Sequence, residues 1–514
     1  MLLSFRVENH KSIRDEQQVL LTPVYDDATP EEADWEALTV TGIFGANASG
    51  KSNVLDALGL MQETVRWSMR DNEPGGGVRR EPFALSNEAA EEPSVFVVDL
   101  MLSGVRHTYG FAVDDDRVVE EWLYSYPRRR KRVVFERDEE SFTFGESVSV
   151  KLRRAEDLTG PNVLFLTVAA RASNEEVEQV YQWFSENLVF ADERTSDRPQ
   201  WLRKNWITEE DVRLLSDMLA SADTGIRRLE LQEGYGGTEA DVSRSGSIAT
   251  TRKREVRGRA AAFREVSVQN ALFPTESNLL FHHLEASEGA GFDWKQESLG
   301  TRAFVMMAYE AQRVLKTGGV LVVDEIDTSL HPYLSARTIS LFRDEEQNPH
   351  GAQLLFTSHD AALLGRIRGE EALKRDHIWF VDKDRQGRST IYPLSDFKPR
   401  GDDNRARRYL TGRYGAVPDV DDELFQRAPT PVLESTAWSR LFSRSEPAHG
   451  SVVCAREGGS RTRIRAQLTH WEGGYSTDFR RVLPAGHRRR SRGCELTRSR
   501  LRCRRRHPAL LHRG

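Results

Sequence analysis

The period of the hydrophobic positions changes several times along this chain, and each change predicts an element. At the N-terminus Leu3, Phe5 and Val7 alternate with other residues and are followed by VLLTP, which predicts an early β-hairpin. LTVTGIFG (Leu38–Gly45) reads as a strand ending in a glycine-containing loop. Beyond it Val54, Leu58, Met61 and Val65 recur at helical spacing, so the loop opens a helix. From Ser94 to Phe144 the runs SVFVVDLML, HTYGFAV, EEWLYSY and KRVVFE, separated by turn signals, predict a β-meander. QVYQWFSENL and EEDVRLLSDML give the stretch from Asn174 to Leu231 a helical period. Gly234–Arg264 is polar and holds no period, as a loop or mobile arm would. Farther on, VLVV from Val320, AQLLFTSHD and HIWFVDKD are strands interleaved with helical patterns, the mark of an α/β core.

Composition adds a charge split to this picture. The 514 residues carry a formal net charge of −6. From Arg440 onward, however, there are 19 Arg against 5 Asp or Glu, which leaves the first 439 residues at −20. A polyanionic partner must therefore be met by a local basic patch. No apolar run approaches the roughly 18–20 residues of a membrane span. MLLSFRVENH brings Arg and Glu too early for the core of a secretion signal, so a cytoplasmic protein without a membrane anchor is expected. Cys454, Cys494 and Cys503 lack paired zinc-ligand spacing. After Pro429 the periodicity fails, and no Lys follows Lys398. The Arg-rich tail is either a disordered basic segment contacting nucleic acid or sequence past a shifted reading frame, and no function is assigned to it.

The chemistry begins with GANASGKS, Gly45–Ser52, a G-x-x-x-x-G-K-[ST] phosphate loop between a predicted strand and a predicted helix. Gly45 and Gly50 let backbone N–H groups turn toward phosphate oxygens, with Asn47 and Ser49 in the same loop. The helix N-terminus adds positive potential. Lys51 reaches the β- and γ-phosphates, and Ser52 places its hydroxyl on Mg²⁺. In VLVVDEIDTSLHP two adjacent carboxylates end a buried strand. Asp324 can hold Mg²⁺, and Glu325, where the chain is already turning, can orient and deprotonate the attacking water. LLFTSHD puts His359 at a third strand end, where it can contact the γ-phosphate. In QESLGTR, Ser298 and Gly300 precede a helix whose Phe304, Met307, Ala308, Ala311 and Leu315 share one face; the pair forms either a second anion site or only a helix start.

GANASGKSN, QESLGTR, VLVVDEIDTSLHP and FTSHD together resemble the ABC-type ATPase heads of the RecF, SMC and OLD group. The resemblance implies an α/β P-loop NTPase of ABC-ATPase type with an antiparallel β subdomain and a helical insertion. It also implies ATP and Mg²⁺ as cofactors and Asn53 as an extension of the phosphate loop. Ser298 and Gly300 would then bind the γ-phosphate of a second subunit, so that two ATP molecules close a homodimer, with Asp327 in the loop that crosses between subunits. LLSFRVENHKSI, EEWLYSY and FVDKD…YPLSDFKPR…YLTGRYGAVP resemble more narrowly the RloA-like ATPases of bacterial two-gene anti-phage modules. Those are encoded beside an RloB-like, nuclease-type effector, and RYGAVPD would be a docking surface for such a partner.

On this reading residues 1–170 and 266–425 are the two halves of the head, 171–265 a helical lobe with the arm, and 426–514 the tail. The signature S-L-G-T departs from the transporter form L-S-G-G-Q. The glutamine that links the sheet lobe to Mg²⁺ is not identified, since Gln62 follows the loop too soon. No N-K-x-D signature is present, which favours ATP over GTP.

Two basic runs, PRRRKR (Pro127–Arg132) and TRKREVRGR (Thr251–Arg259), are either solvated loops or contacts to a nucleic-acid backbone through Arg128–Arg132 and Arg252–Arg259. Three functions follow from these features: a regulatory ATPase switching an effector, a DNA-repair clamp, and a scaffold that binds without hydrolysis. The third predicts a missing base, whereas Glu325 is present.

Overall fold

A computed structural model describes residues 1–25, 37–73, 75–146, 150–171, 174–191, 207–222, 225–232, 278–284, 291–328, 330–400 and 403–418, and the backbone of 451–455, 461–471 and 474–481. Met1–Asp419 form one compact unit and Val420–Gly514 a second.

The first unit is built on two large sheets. β1 (Leu2–Glu8) and β2 (Gln17–Leu20) form the N-terminal hairpin, and β4 (Ser94–Leu102), β5 (Val105–Val113), β6 (Val118–Ser125), β7 (Arg132–Asp138) and β8 (Ser141–Phe144) extend it into a seven-stranded antiparallel sheet ordered β2-β1-β4-β5-β6-β7-β8. Phe5, Val98, Tyr109 and Leu123, on successive neighbouring strands, are all fully or nearly fully buried on its inner face.

The second sheet carries the site. It contains β3 (Val40–Phe44), β9 (Leu188–Ala191), β13 (Val320–Val323), β14 (Gln353–Ser358), β17 (Ile378–Lys383) and β18 (Ser389–Pro393) in the order β18-β17-β3-β14-β13-β9. All pairings in it are parallel except β17 with β18. A strand buried on both faces reads as a continuous apolar run, and VLVV of β13 is one. Val320 and Val322 enter the core shared with the antiparallel sheet, whereas Leu321 and Val323 enter the core on the opposite side. α1 (Lys51–Asp71) fills the first core with Val54, Leu58, Met61 and Val65. α4 (Leu299–Thr317) and α5 (Pro332–Arg343) fill the second with Phe304, Met307, Ile339 and Phe342.

α2 (Glu175–Gln182) and α3 (Glu209–Ser221) lie in the stretch read as helical, which also contains strands. After α2 the chain passes through a π-turn, Trp183–Asn187, into β9, which pairs parallel with β13. β10 (Ile226–Gln232) pairs with β11 (Asn278–His283), which pairs with β12 (Phe292–Asp293) in a separate three-stranded sheet. LVFA is too short for a helical period to fail visibly, and its pairing with β13, more than 120 residues away, decides its form. β15 (Arg366–Ile367) and β16 (Glu370–Glu371) make a small hairpin.

The RYGAVP segment is partly buried. Tyr414 and Ala416 are buried in the second core, Tyr414 stacks on Phe380, and Tyr392 Oη donates to the Tyr414 carbonyl at 2.9 Å. Tyr414 and Ala416 thus anchor the segment in its own chain, while Arg413 and Pro418 stay exposed. In the second unit β19 (Ser451–Ala455), β20 (Arg461–Trp471) and β21 (Gly474–Arg481) form an antiparallel sheet where no strand period was read. RIRAQL does alternate polar and apolar residues, a pattern hidden by the density of Arg. The arm at Gly234–Arg264, with its basic run Arg252–Arg259, lies outside the described residues. Among the described residues no helix is long and apolar enough to cross a membrane.

Candidate active site

Three neighbouring parallel strands, β3, β14 and β13, deliver the candidate residues from their carboxyl ends, where open α/β sheets bind ligands. β3 runs into the phosphate loop. Gly45 lies against the Val381 carbonyl and the Ser49 hydroxyl, so a Cβ there would collide with backbone. Gly50 has φ 110°, a left-handed value that an L side chain resists, and it caps α1. Lys51, the first residue of the helix, is 4% exposed. Its Nζ donates to the carbonyls of Gly45 and Ala46, both at 2.9 Å, and lies 3.2 Å from His359 Nδ1. Burial pulls the Lys51 ammonium below the usual lysine range, against the opposing pull of Glu325, Asp324 and Asp327. In this state the ammonium is folded onto its own loop.

β13 ends at Asp324 and Glu325. Adjacent strand residues face opposite ways, but Glu325 has left the strand with φ 55°. That single left-handed residue lets both carboxylates serve one site. Asp324 Oδ1 accepts from Ser52 Oγ at 3.0 Å and from Thr357 Oγ1 at 2.6 Å. Glu325 Oε2 accepts from Thr328 Oγ1 at 3.1 Å, and Oε1 lies 3.3 Å from His359 Nε2. Because Lys51 can only donate to Nδ1, the proton of a neutral His359 sits on Nε2 and points at Glu325. Asp327 Oδ1 accepts the His359 N–H at 3.3 Å.

The structure thus brings together Gly45, Ser49, Gly50, Lys51, Ser52, Asp324, Glu325, Asp327 and His359. Asn47 is exposed on the loop. Asn53 Nδ2 donates to Ser12 Oγ at 2.6 Å. Ser298 caps α4, accepting the Thr301 N–H at 3.1 Å. Gly300 follows in the first turn, beside Leu299, which is 69% exposed. The hydrogen bonds of this signature are local to its own helix end. Gln62 spends its amide on the carbonyls of Phe184 and Leu188, at 2.7 and 2.6 Å, and is a structural tie.

Sequence reading missed Thr357, Ser12 and Ser389. Thr357 stands two residues before His359 in the quoted FTSHD run, and strand alternation puts 357 and 359 on one side; that signal was available.

The donor set fits Mg²⁺. Ser52 and Asp324 offer hard oxygen atoms at one point, and Thr357 orients the carboxylate. Among the described residues no cluster of three or more His, Cys, Asp or Glu forms a protein-only cage. Mg²⁺ is usually held by one or two carboxylates together with substrate phosphates.

Residues 40–365, more than half of the chain, match the family described as "AAA domain, putative AbiEii toxin, Type IV TA system". The chain belongs to this AAA family. Its α/β core with a phosphate loop is accordingly an AAA-type ATPase domain of P-loop NTPase fold. Among solved structures it is similar to an SMC head domain from Thermotoga maritima, with 13% sequence identity and a TM-score of 0.33, covering 76% of this chain and 98% of that one. At that distance the similarity adds nothing to the assignment. No curated protein matches the chain.

Proposed function

We propose that this AAA ATPase binds and hydrolyses ATP with Mg²⁺ and works as a nucleotide-gated dimeric switch for an effector partner. The observation that carries the reading is the unbroken contact from Lys51 through His359 to Glu325, with Asp324, Ser52 and Thr357 beside it. When ATP enters, Lys51 exchanges its loop carbonyls for phosphate oxygens. Glu325, steadied by Thr328 and His359, accepts the proton of the attacking water. Released from Lys51, His359 is free to donate a ring N–H to the γ-phosphate. Ser52 and Asp324 would hold Mg²⁺, which when bound would supply charge neutralisation at the phosphates.

Ser298 and Gly300 reach the ATP of a second subunit, and the exposed Leu299 sits at that contact. Two bridged γ-phosphates hold the pair, and their loss on hydrolysis opens it, which suits a switch. The RloA-like sequence features, and a family described in terms of a toxin–antitoxin system, favour a two-component phage-defence module with an RloB-like nuclease-type effector. Glu325→Gln, tagged and isolated from the native host with ATP retained, should copurify with a small nuclease-like protein. Recovery of DNA with recombination proteins would replace this reading.

That second reading, a clamp on nucleic acid, has one observation in its favour. Arg128, Arg129 and Arg130, at the β6–β7 turn, are exposed and pair with no acidic side chain among the described residues. Charge reversal of all three would then weaken duplex DNA binding and lower its salt dependence; unchanged retention would leave a solvated loop.

A further inference from the structure

The phosphate loop is held from behind by a buried chain of hydrogen bonds that the nucleotide reading does not use. Asn53, in the first turn of α1, donates to Ser12 Oγ at 2.6 Å. Ser12 Oγ and Ser389 Oγ are 2.7 Å apart, and Ser389 Oγ donates to the Ser49 carbonyl at 2.6 Å. Since each hydroxyl has one proton, and that of Ser389 is committed to Ser49, Ser12 donates to Ser389. The chain therefore runs in one direction, from the Asn53 amide through two hydroxyls to the Ser49 carbonyl.

Its two ends lie on either side of Gly50, Lys51 and Ser52. Both hydroxyls also occupy the space that a Cβ on Gly50 would need. Ser12 and Ser389 are 9% and 2% exposed and far apart in sequence: Ser12 belongs to the turn between β1 and β2, Ser389 begins β18. The Ser389 N–H donates to the Ser12 carbonyl at 2.7 Å, which fixes the two segments to each other.

We infer that Ser12 and Ser389 are positioning residues for nucleotide binding: their hydroxyl chain holds Gly50 in its left-handed conformation and so keeps the loop N–H groups and Lys51 turned toward the phosphates. The antiparallel sheet and the β17–β18 hairpin thereby set the affinity of the site from behind the loop. The inference rests on the reading of this loop as a nucleotide site.

The test uses the full-length protein with N-methylanthraniloyl-ATP and Mg²⁺, followed by fluorescence, and steady-state ATP hydrolysis. Loss of a buried partner predicts a rise in Kd on the order of tenfold for Ser12→Ala and Ser389→Ala, with KM rising in parallel and kcat kept within about twofold. The double variant should be no worse than about the weaker single one, because both break one chain. A purely structural role would lower the melting temperature without splitting KM from kcat. Asn53→Ala, at a half-buried position, removes the head of the chain and serves where a serine variant fails to fold. Wild-type affinity in all three variants overturns the inference while the nucleotide reading stands. A wild-type protein that does not bind the probe overturns that reading and the inference with it.

Discussion

In the proposed mechanism Lys51 and Glu325 carry the chemistry, and each makes a separate claim. Glu325→Gln keeps the size of the side chain and its contact with Thr328 but cannot take a proton from water. Phosphate release should fall by about 10²–10⁴-fold while ATP binding persists; a variant that hydrolyses at the wild-type rate would place the base elsewhere.

Burial holds Lys51 below the ordinary lysine value of about 10.4. A neutral amine no longer attracts phosphate, so ATP affinity should decline on the alkaline side before an exposed lysine would titrate. Stability responds in the opposite sense. Between the lowered folded value and the ordinary one, the unfolded chain binds more protons, so this group makes stability rise with pH. Titration calorimetry from neutral to alkaline pH would separate the two; affinity flat to the ordinary lysine range would contradict the role given to Lys51.

The phosphate loop, Asp324, Glu325 and His359 were legible in the sequence because each sits in a short contiguous run with a recognisable strand end. Ser12 and Ser389 were not. Separated by 377 residues, they meet only after both sheets have formed.

At the scale of elements, the loop was legible because its flanks were: a β-rich run before it, a helical period after it. β9 was misread because four residues carry too little periodicity, and only parallel pairing with β13 makes them a strand. The antiparallel sheet is fastened by a buried polar cluster that its sequence hides. Glu121 is fully buried and accepts the N–H groups of Phe165 and Leu166 at 2.6 and 2.9 Å, with Tyr109 Oη at 3.0 Å and Arg137 at 3.8 Å. Glu121→Ala leaves Arg137 and two helix N–H groups without this acceptor and should cost about 3–5 kcal/mol, read by denaturant unfolding. A loss below 1 kcal/mol would mean the cluster is not a fastening.

The N-terminus of α4 makes the complementary prediction. Ser298 caps its helix and is exposed beside Leu299, and Gly300 is partly exposed after them. Gly300→Asp should leave the monomer folded and ATP-binding, yet prevent ATP-dependent pairing by placing a carboxylate against a partner's phosphate; light scattering would show it. Pairing as in the parent protein would remove the signature from the interface.

For the molecule as a whole, the charge split read from composition remains a sequence property, since most of the Arg-rich end lies outside the described residues. What the fold adds is a common frame. One buried core joins the antiparallel sheet, α1 and one face of the parallel sheet, and a second core backs its other face with α4 and α5. The central claim is that ATP closes two such units and hydrolysis releases them. Sedimentation velocity of Glu325→Gln with Mg²⁺ and either ATP or ADP tests it most directly. The account predicts a dimer with ATP and a monomer with ADP; a protein that binds ATP and sediments as a monomer with both would contradict it.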